Sequence, residues 1–138
     1  MAEHHASCLC GALTVTASDD PDITLACSCN ACKKRTGSAF ATVAYFRKDC
    51  VTISGETRTW ERHAASGRPV ESAFCVICGT TVYWTLEFRP DHVGVLVGTF
   101  DTPRPEPTRA VWTEEKLDWV AFPGHWEALP QGSPEPQT

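Results

Sequence analysis

Cysteine spacing constrains this chain more than any other feature. Eight cysteines occur, and seven fall in three short groups: Cys8-Leu-Cys10, Cys27-Ser-Cys29-Asn-Ala-Cys32 and Cys75-Val-Ile-Cys78. Cys50 stands apart. The opening residues carry no basic stretch followed by an apolar run, which is the pattern of a signal peptide. A cytoplasmic location is therefore expected, and there such cysteines serve metal or redox chemistry rather than a disulfide framework.

Cys75-Val-Ile-Cys78 followed by Gly79 reads as half of a zinc ribbon. The two-residue gap turns both sulfurs toward one centre, and the glycine lets backbone amides approach sulfur. Cys8 and Cys10 can complete a closed four-thiolate structural site if the amino-terminal strand lies beside that turn. Disulfides or buried free thiols are the alternative. Cys27, Cys29 and Cys32 then remain as three local ligands. Three protein ligands with one open position is the arrangement of a reactive zinc. A second closed site, with Cys50 as fourth ligand, would remove that chemistry. A lone cysteine in a strand such as KDCVTISG more often packs as a small apolar residue.

The 138 residues suit one domain, expected over residues 1–128. A net charge of −5 supplies no basic field for nucleic acid, and no apolar run approaches the roughly 20 residues that span a membrane. Period-two alternation dominates. Leu13, Val15 and Ala17 share one strand face, and residues 38–46, 51–55, 57–63, 70–75, 80–88 and 92–100 read as further strands. Helix is expected only as a turn at residues 30–35 capped by Asn30, and as a second candidate at residues 113–120 capped by Thr113, a segment that reads equally well as extended. Pro103, Pro105 and Pro107 favour an extended strip. Residues 129–138 read as a flexible, proline-rich tail. The strand edges of a small sheet permit a homodimer.

The text CLCGAL, CSCNACKKRTGSAF, FCVICGT and VLVGTFD resembles the glutathione-dependent formaldehyde-activating enzyme family over about residues 7–102. The resemblance implies an all-β, Mss4-like fold of small antiparallel sheets around two zinc ions. It places a structural zinc on Cys8, Cys10, Cys75 and Cys78, and a reactive one on Cys27, Cys29 and Cys32. It further implies a carbon–sulfur lyase acting on the adduct of a small thiol and an aldehyde, with glutathione and formaldehyde as the name-giving pair. Ser28 stands where family members often have histidine, and Lys33-Lys34 where arginine is common.

Lys33, Lys34 and Arg35 are candidates for holding a carboxylate of the thiol, and Ser38 for a hydrogen bond to it. The same charges could simply form a solvated face, and Ser38 could only shape a turn. Phe40, Trp60, Phe74 and Trp84 are expected in the core or a pocket wall. His4 and His5 are placed at a loose terminus, and none of the five histidines has ligand spacing. A zinc scaffold that binds a thiol or a protein partner without turnover is the rival reading.

Overall fold

The structure is a computed structural model that describes residues 3–134. Its regular structure is mostly strand, as expected. A small antiparallel sheet joins β1 (His4–Ser7), β2 (Thr14–Ala17) and β5 (Val51–Ser54), with β2 in the middle. The main sheet has eight strands. They are β3 (Ile23–Cys27), β4 (Ala41–Arg47), β6 (Thr57–His63), β7 (Pro69–Cys75), β8 (Thr81–Leu86), β9 (His92–Leu96), β10 (Arg109–Val111) and β11 (Glu127–Ala128). Their order is β11-β10-β3-β4-β9-β8-β7-β6. The pairs β3–β10 and β10–β11 are parallel, and the others are antiparallel.

Strand β4 shows how sequence sets the layers. Its residues 43–46 are all buried, so it lacks the alternation of a strand with one wet face. Ala44 and Phe46 join Leu13, Val15, Val82 and Val95 in one core beneath the small sheet. Val43 and Tyr45 point into a second core with Leu25, Val70, Trp84 and Val111. Two cores on opposite faces of one sheet explain why its central strands read as continuous apolar runs.

Gly94 of β9 is required by close approach. It pairs with Tyr45 on one side and Trp84 on the other. A Cβ there would lie 2.7 Å from the Tyr45 ring and 3.0 Å from Trp84 Nε1. The missing side chain lets the two large residues meet across β9, where Trp84 Nε1 donates to Tyr45 Oη at 3.0 Å.

The one α-helix among the described residues, α1 (Asn30–Thr36), follows β3. Its cap is Cys29, not Asn30: the Cys29 backbone is extended, and its sulfur accepts from the Cys32 N–H at 3.3 Å. The helix expected over residues 113–120 is only a 3₁₀ turn, Thr113–Glu115. Trp112 before it has φ 55°, and the Thr113 and Glu114 amides already bond to the Leu129 and Pro130 carbonyls. Those bonds also correct the expected tail. Residues 129–131 are tied to the fold, with Leu129 N–H donating to Ala110 O and Gln131 O accepting from Trp112 N–H. Arg109 Nη1 reaches Ser133 Oγ at 3.0 Å. The rest of that segment, 135–138, lies outside the described residues. Likewise His4 and His5 are not loose. They pair with Ala17 and Thr16 in β1–β2, and His4 packs 5.5 Å from the Phe46 ring.

Candidate metal centres and the adjoining cavity

Two turns build the first cysteine cluster. In the loop from β1 to β2, Gly11 N–H bonds to Cys8 O, and Leu13 N–H donates to Cys8 Sγ at 3.2 Å. In the loop from β7 to β8, Ile77 and Cys78 N–H groups donate to Cys75 Sγ at 3.3 and 3.5 Å. Gly79, at φ 78°, returns its N–H to Cys75 O and closes that loop. Leu9 N–H reaches Thr80 Oγ1 at 3.3 Å and joins the two turns. The four sulfurs of Cys8, Cys10, Cys75 and Cys78 lie within 4.8 Å of one another. Two of their separations are 3.6 and 3.7 Å, Cys8–Cys10 and Cys10–Cys75. Four thiolates at about 2.3 Å from one ion would stand about 3.8 Å apart, so the cluster fits a tetrahedral ion such as zinc. Hydrogen bonds from the Thr80 hydroxyl and backbone hold the Cys78 thiol down at about 5, which favours the thiolate a metal needs.

The second cluster forms where β3 meets α1. Cys27 ends the strand, Cys29 caps the helix and Cys32 lies in its first turn, so the spacing converts directly into convergence. Their sulfurs also lie within 4.8 Å of one another. All three are free thiols. Hydrogen bonds from Cys27 and Cys32, with the Cys32 amide and the Arg62 guanidinium, hold Cys29 down at about 2. Cys32 is lowered by its contact with Cys27, yet Cys29 and burial leave it pushed up to about 12. Cys27 is raised by Cys29, Cys32 and burial. Cys29 is thus the readiest of the three to ionise, and a bound cation would favour the thiolate form of all three. Cys50 is not a fourth ligand. It packs against the first core, with its carbonyl accepting from Ser18 N–H at 2.9 Å. Ser28, between Cys27 and Cys29, is buried with its hydroxyl lacking a hydrogen-bond partner.

The three cysteines open onto a cavity of about 450 Å³. Its wall is aliphatic and aromatic: Leu25, Val43, Val70, Trp84, Leu86 and Val111, with Phe88 and Trp112. Its polar groups include Tyr45, Arg62, Arg89, His63 and Glu115. Arg89 is buried, its guanidinium 5.2 Å from the Tyr45 ring centre. Burial raises the Tyr45 phenol above its ordinary value, so it stays protonated. Glu115 Oε1 accepts from Asn30 N–H at 2.8 Å and fastens the start of α1.

The basic residues picked out from sequence lie elsewhere. Lys33 Nζ donates to the Glu115 carbonyl. Ser38 Oγ donates to Phe40 O at 2.7 Å, so Ser38 shapes its turn. Lys34 and Arg35 line a neighbouring groove with Trp60 and Phe74. Arg35 sits 5.5 Å from the Phe74 ring centre and 6.0 Å from that of Trp60. Arg62 and Ala31 line both spaces and therefore mark where they meet. Among the expected aromatics, Trp84 is cavity wall, while Phe40 packs edge-on to Phe122 at 5.0 Å. Sequence reading missed Tyr45, Arg62 and Arg89. Only the alternation in TRTWERH hinted at Arg62, by placing it on one face with Trp60.

Comparison with known proteins adds three findings. No curated relative matches the chain. A crystal structure of a Rhodobacter sphaeroides protein shares the fold, with TM-score 0.55 and 20% identity over 73% of this chain and 91% of that one. The family model for glutathione-dependent formaldehyde-activating enzyme matches residues 3–115, which include both cysteine clusters. With that match over most of its length, the chain belongs to the glutathione-dependent formaldehyde-activating enzyme family.

Proposed function

We propose that this protein is a zinc-dependent carbon–sulfur lyase that joins a glutathione-like thiol to an aldehyde and reverses that addition. The observation that carries this reading is the three-cysteine cluster at a cavity of about 450 Å³. Cys8, Cys10, Cys75 and Cys78 would hold a structural zinc with no position left open. Cys27, Cys29 and Cys32 would hold the second, which when bound supplies a positive centre that keeps an incoming thiol ionised near neutral pH.

The chain's own groups account for the rest. Lys34, Arg35 and Arg62 have no carboxylate partner among the described residues. Nε and Nη2 of Arg35 are buried and lack any hydrogen-bond partner. These three cations hold the carboxylates of the thiol carrier, with Arg62 leading from groove to cavity. Lys33 stiffens the base of α1, and Ser38 its far end. Tyr45 Oη already accepts from Trp84, so its own O–H is available to donate. As the thiolate attacks, a carbon–sulfur bond forms, the carbonyl π pair moves to oxygen, and Tyr45 gives that oxygen its proton. Solvent returns one to Tyr45, balancing the proton the thiol lost on entry. Holding thiol and aldehyde together supplies much of the acceleration.

The test is the rate of glutathione–formaldehyde adduct exchange by NMR with zinc-loaded protein, against the protein-free rate. Exchange above that background, abolished in Cys29→Ser, supports the enzyme. Exchange at the background rate, with glutathione still bound, leaves a thiol-binding module.

A further inference from the structure

The cavity beside the cysteines is much larger and more apolar than formaldehyde requires. A hydroxymethyl group fills about 60 Å³, two water-sized volumes, against about 450 Å³ available. Protein interiors are close-packed, and voids larger than a water are few. Here the space lies within the second core, walled by Leu25, Val43, Val70 and Val111, which are otherwise buried core residues. Lys34 and Arg35 line the neighbouring groove and Arg62 its junction with the cavity, while Arg89, the cation inside the cavity, lies buried against the Tyr45 ring. A mostly apolar, largely preformed hollow that carries a limited set of polar groups, here including Tyr45, Arg62, His63, Arg89 and Glu115, is the usual form of a small-ligand site.

We infer that the cavity receives the hydrocarbon chain of a larger aldehyde, of about four to seven carbons or one aromatic ring, carried as its thiol adduct. This rests on the thiol–aldehyde reading above and names the aldehyde that reading leaves open. The thiol carrier lies across Arg62 in the groove, its sulfur stands at Cys27, Cys29 and Cys32, and the aldehyde's chain runs inward along Leu25, Val70 and Leu86. Tyr45 and its partner Trp84 flank the same space. Each methylene taken from water into such a wall favours binding about fourfold.

The experiment compares S-methylglutathione with S-hexylglutathione, unreactive mimics of short and long adducts, by isothermal titration of the zinc-loaded full chain. Hexanal and formaldehyde are then compared as substrates with glutathione. The expected result is that S-hexylglutathione binds at least a hundredfold more tightly, and that kcat/KM for hexanal exceeds that for formaldehyde. Leu86→Trp, which fills the hollow, should remove the S-hexyl advantage and leave S-methyl binding unchanged. Val70→Phe, at the cross-strand partner of Leu86, does the same if the first variant does not fold. Equal affinity for the two thioethers, with formaldehyde the better substrate, overturns the inference and leaves the proposed function standing. Binding of neither thioether, with turnover of neither aldehyde, overturns both.

Discussion

Cys29 joins three roles in one side chain. It caps α1, hydrogen-bonds with Cys27 and Cys32, and faces the cavity. Serine can still cap a helix but is a poor ligand for zinc. Cys29→Ser should therefore keep the melting temperature within a few degrees while exchange falls to the uncatalysed rate; calorimetry beside NMR exchange measures both. Arg62 makes a different demand. Removing one charge-assisted contact to a carboxylate should raise KM for glutathione about tenfold or more in Arg62→Ala, with kcat nearly unchanged. Tyr45→Phe should show the converse, a kcat lower by about a hundredfold or more at similar KM. Steady-state kinetics with glutathione as the varied substrate separates the two. The cysteines were legible in sequence because metal ligands at short spacing converge through local turns. Arg62 and Tyr45 were not, because each reaches the cavity only through the pairing of strands distant in sequence.

At the scale of elements, the loops from β1 to β2 and from β7 to β8 act as one clamp. Cys10 and Cys75 stand 65 positions apart yet their sulfurs are 3.7 Å apart. A structural metal holding such a pair contributes directly to folding. Cys75→Ala should leave the other cluster's spacing intact in the chain but give an unfolded or aggregated product, visible as lost strand signal in circular dichroism. The three-strand sequence β4-β9-β8 carries the second demand. Because Gly94 makes room for the Tyr45–Trp84 contact, Gly94→Ala should cost about 1–3 kcal/mol by denaturant titration. It should also lower exchange activity by displacing the Tyr45 hydroxyl. Strands with one wet face, such as β2 with Thr14 and Thr16 alternating against Val15 and Ala17, declared themselves in sequence. The parallel strand β10 did not. Its three residues, Arg109–Val111, are too few for a period, and its place is set by the partner β3.

For the whole molecule, the eight-stranded sheet separates two tasks. One face packs under the small sheet and joins the four-cysteine clamp to a dry core. The other face surrounds the cavity and the three-cysteine cluster. The all-β class followed from alternation and from turn residues, whereas the hollow in the second core did not, since wall residues and packed residues have the same apolar composition. The segment after residue 128 illustrates the same limit. Its prolines suggested a free tail, yet its carbonyls accept bonds from Trp112 and Glu114, and Ser133 lines the cavity. Proline removes a donor but keeps an acceptor.

Native mass spectrometry of the reduced protein, with and without glutathione, tests the central claim most directly. The account predicts two zinc ions per chain and one bound glutathione, with Cys29→Ser retaining one zinc and no glutathione. One zinc per chain in the wild type, or two that leave glutathione unbound, would contradict an open thiol-binding centre at Cys27, Cys29 and Cys32.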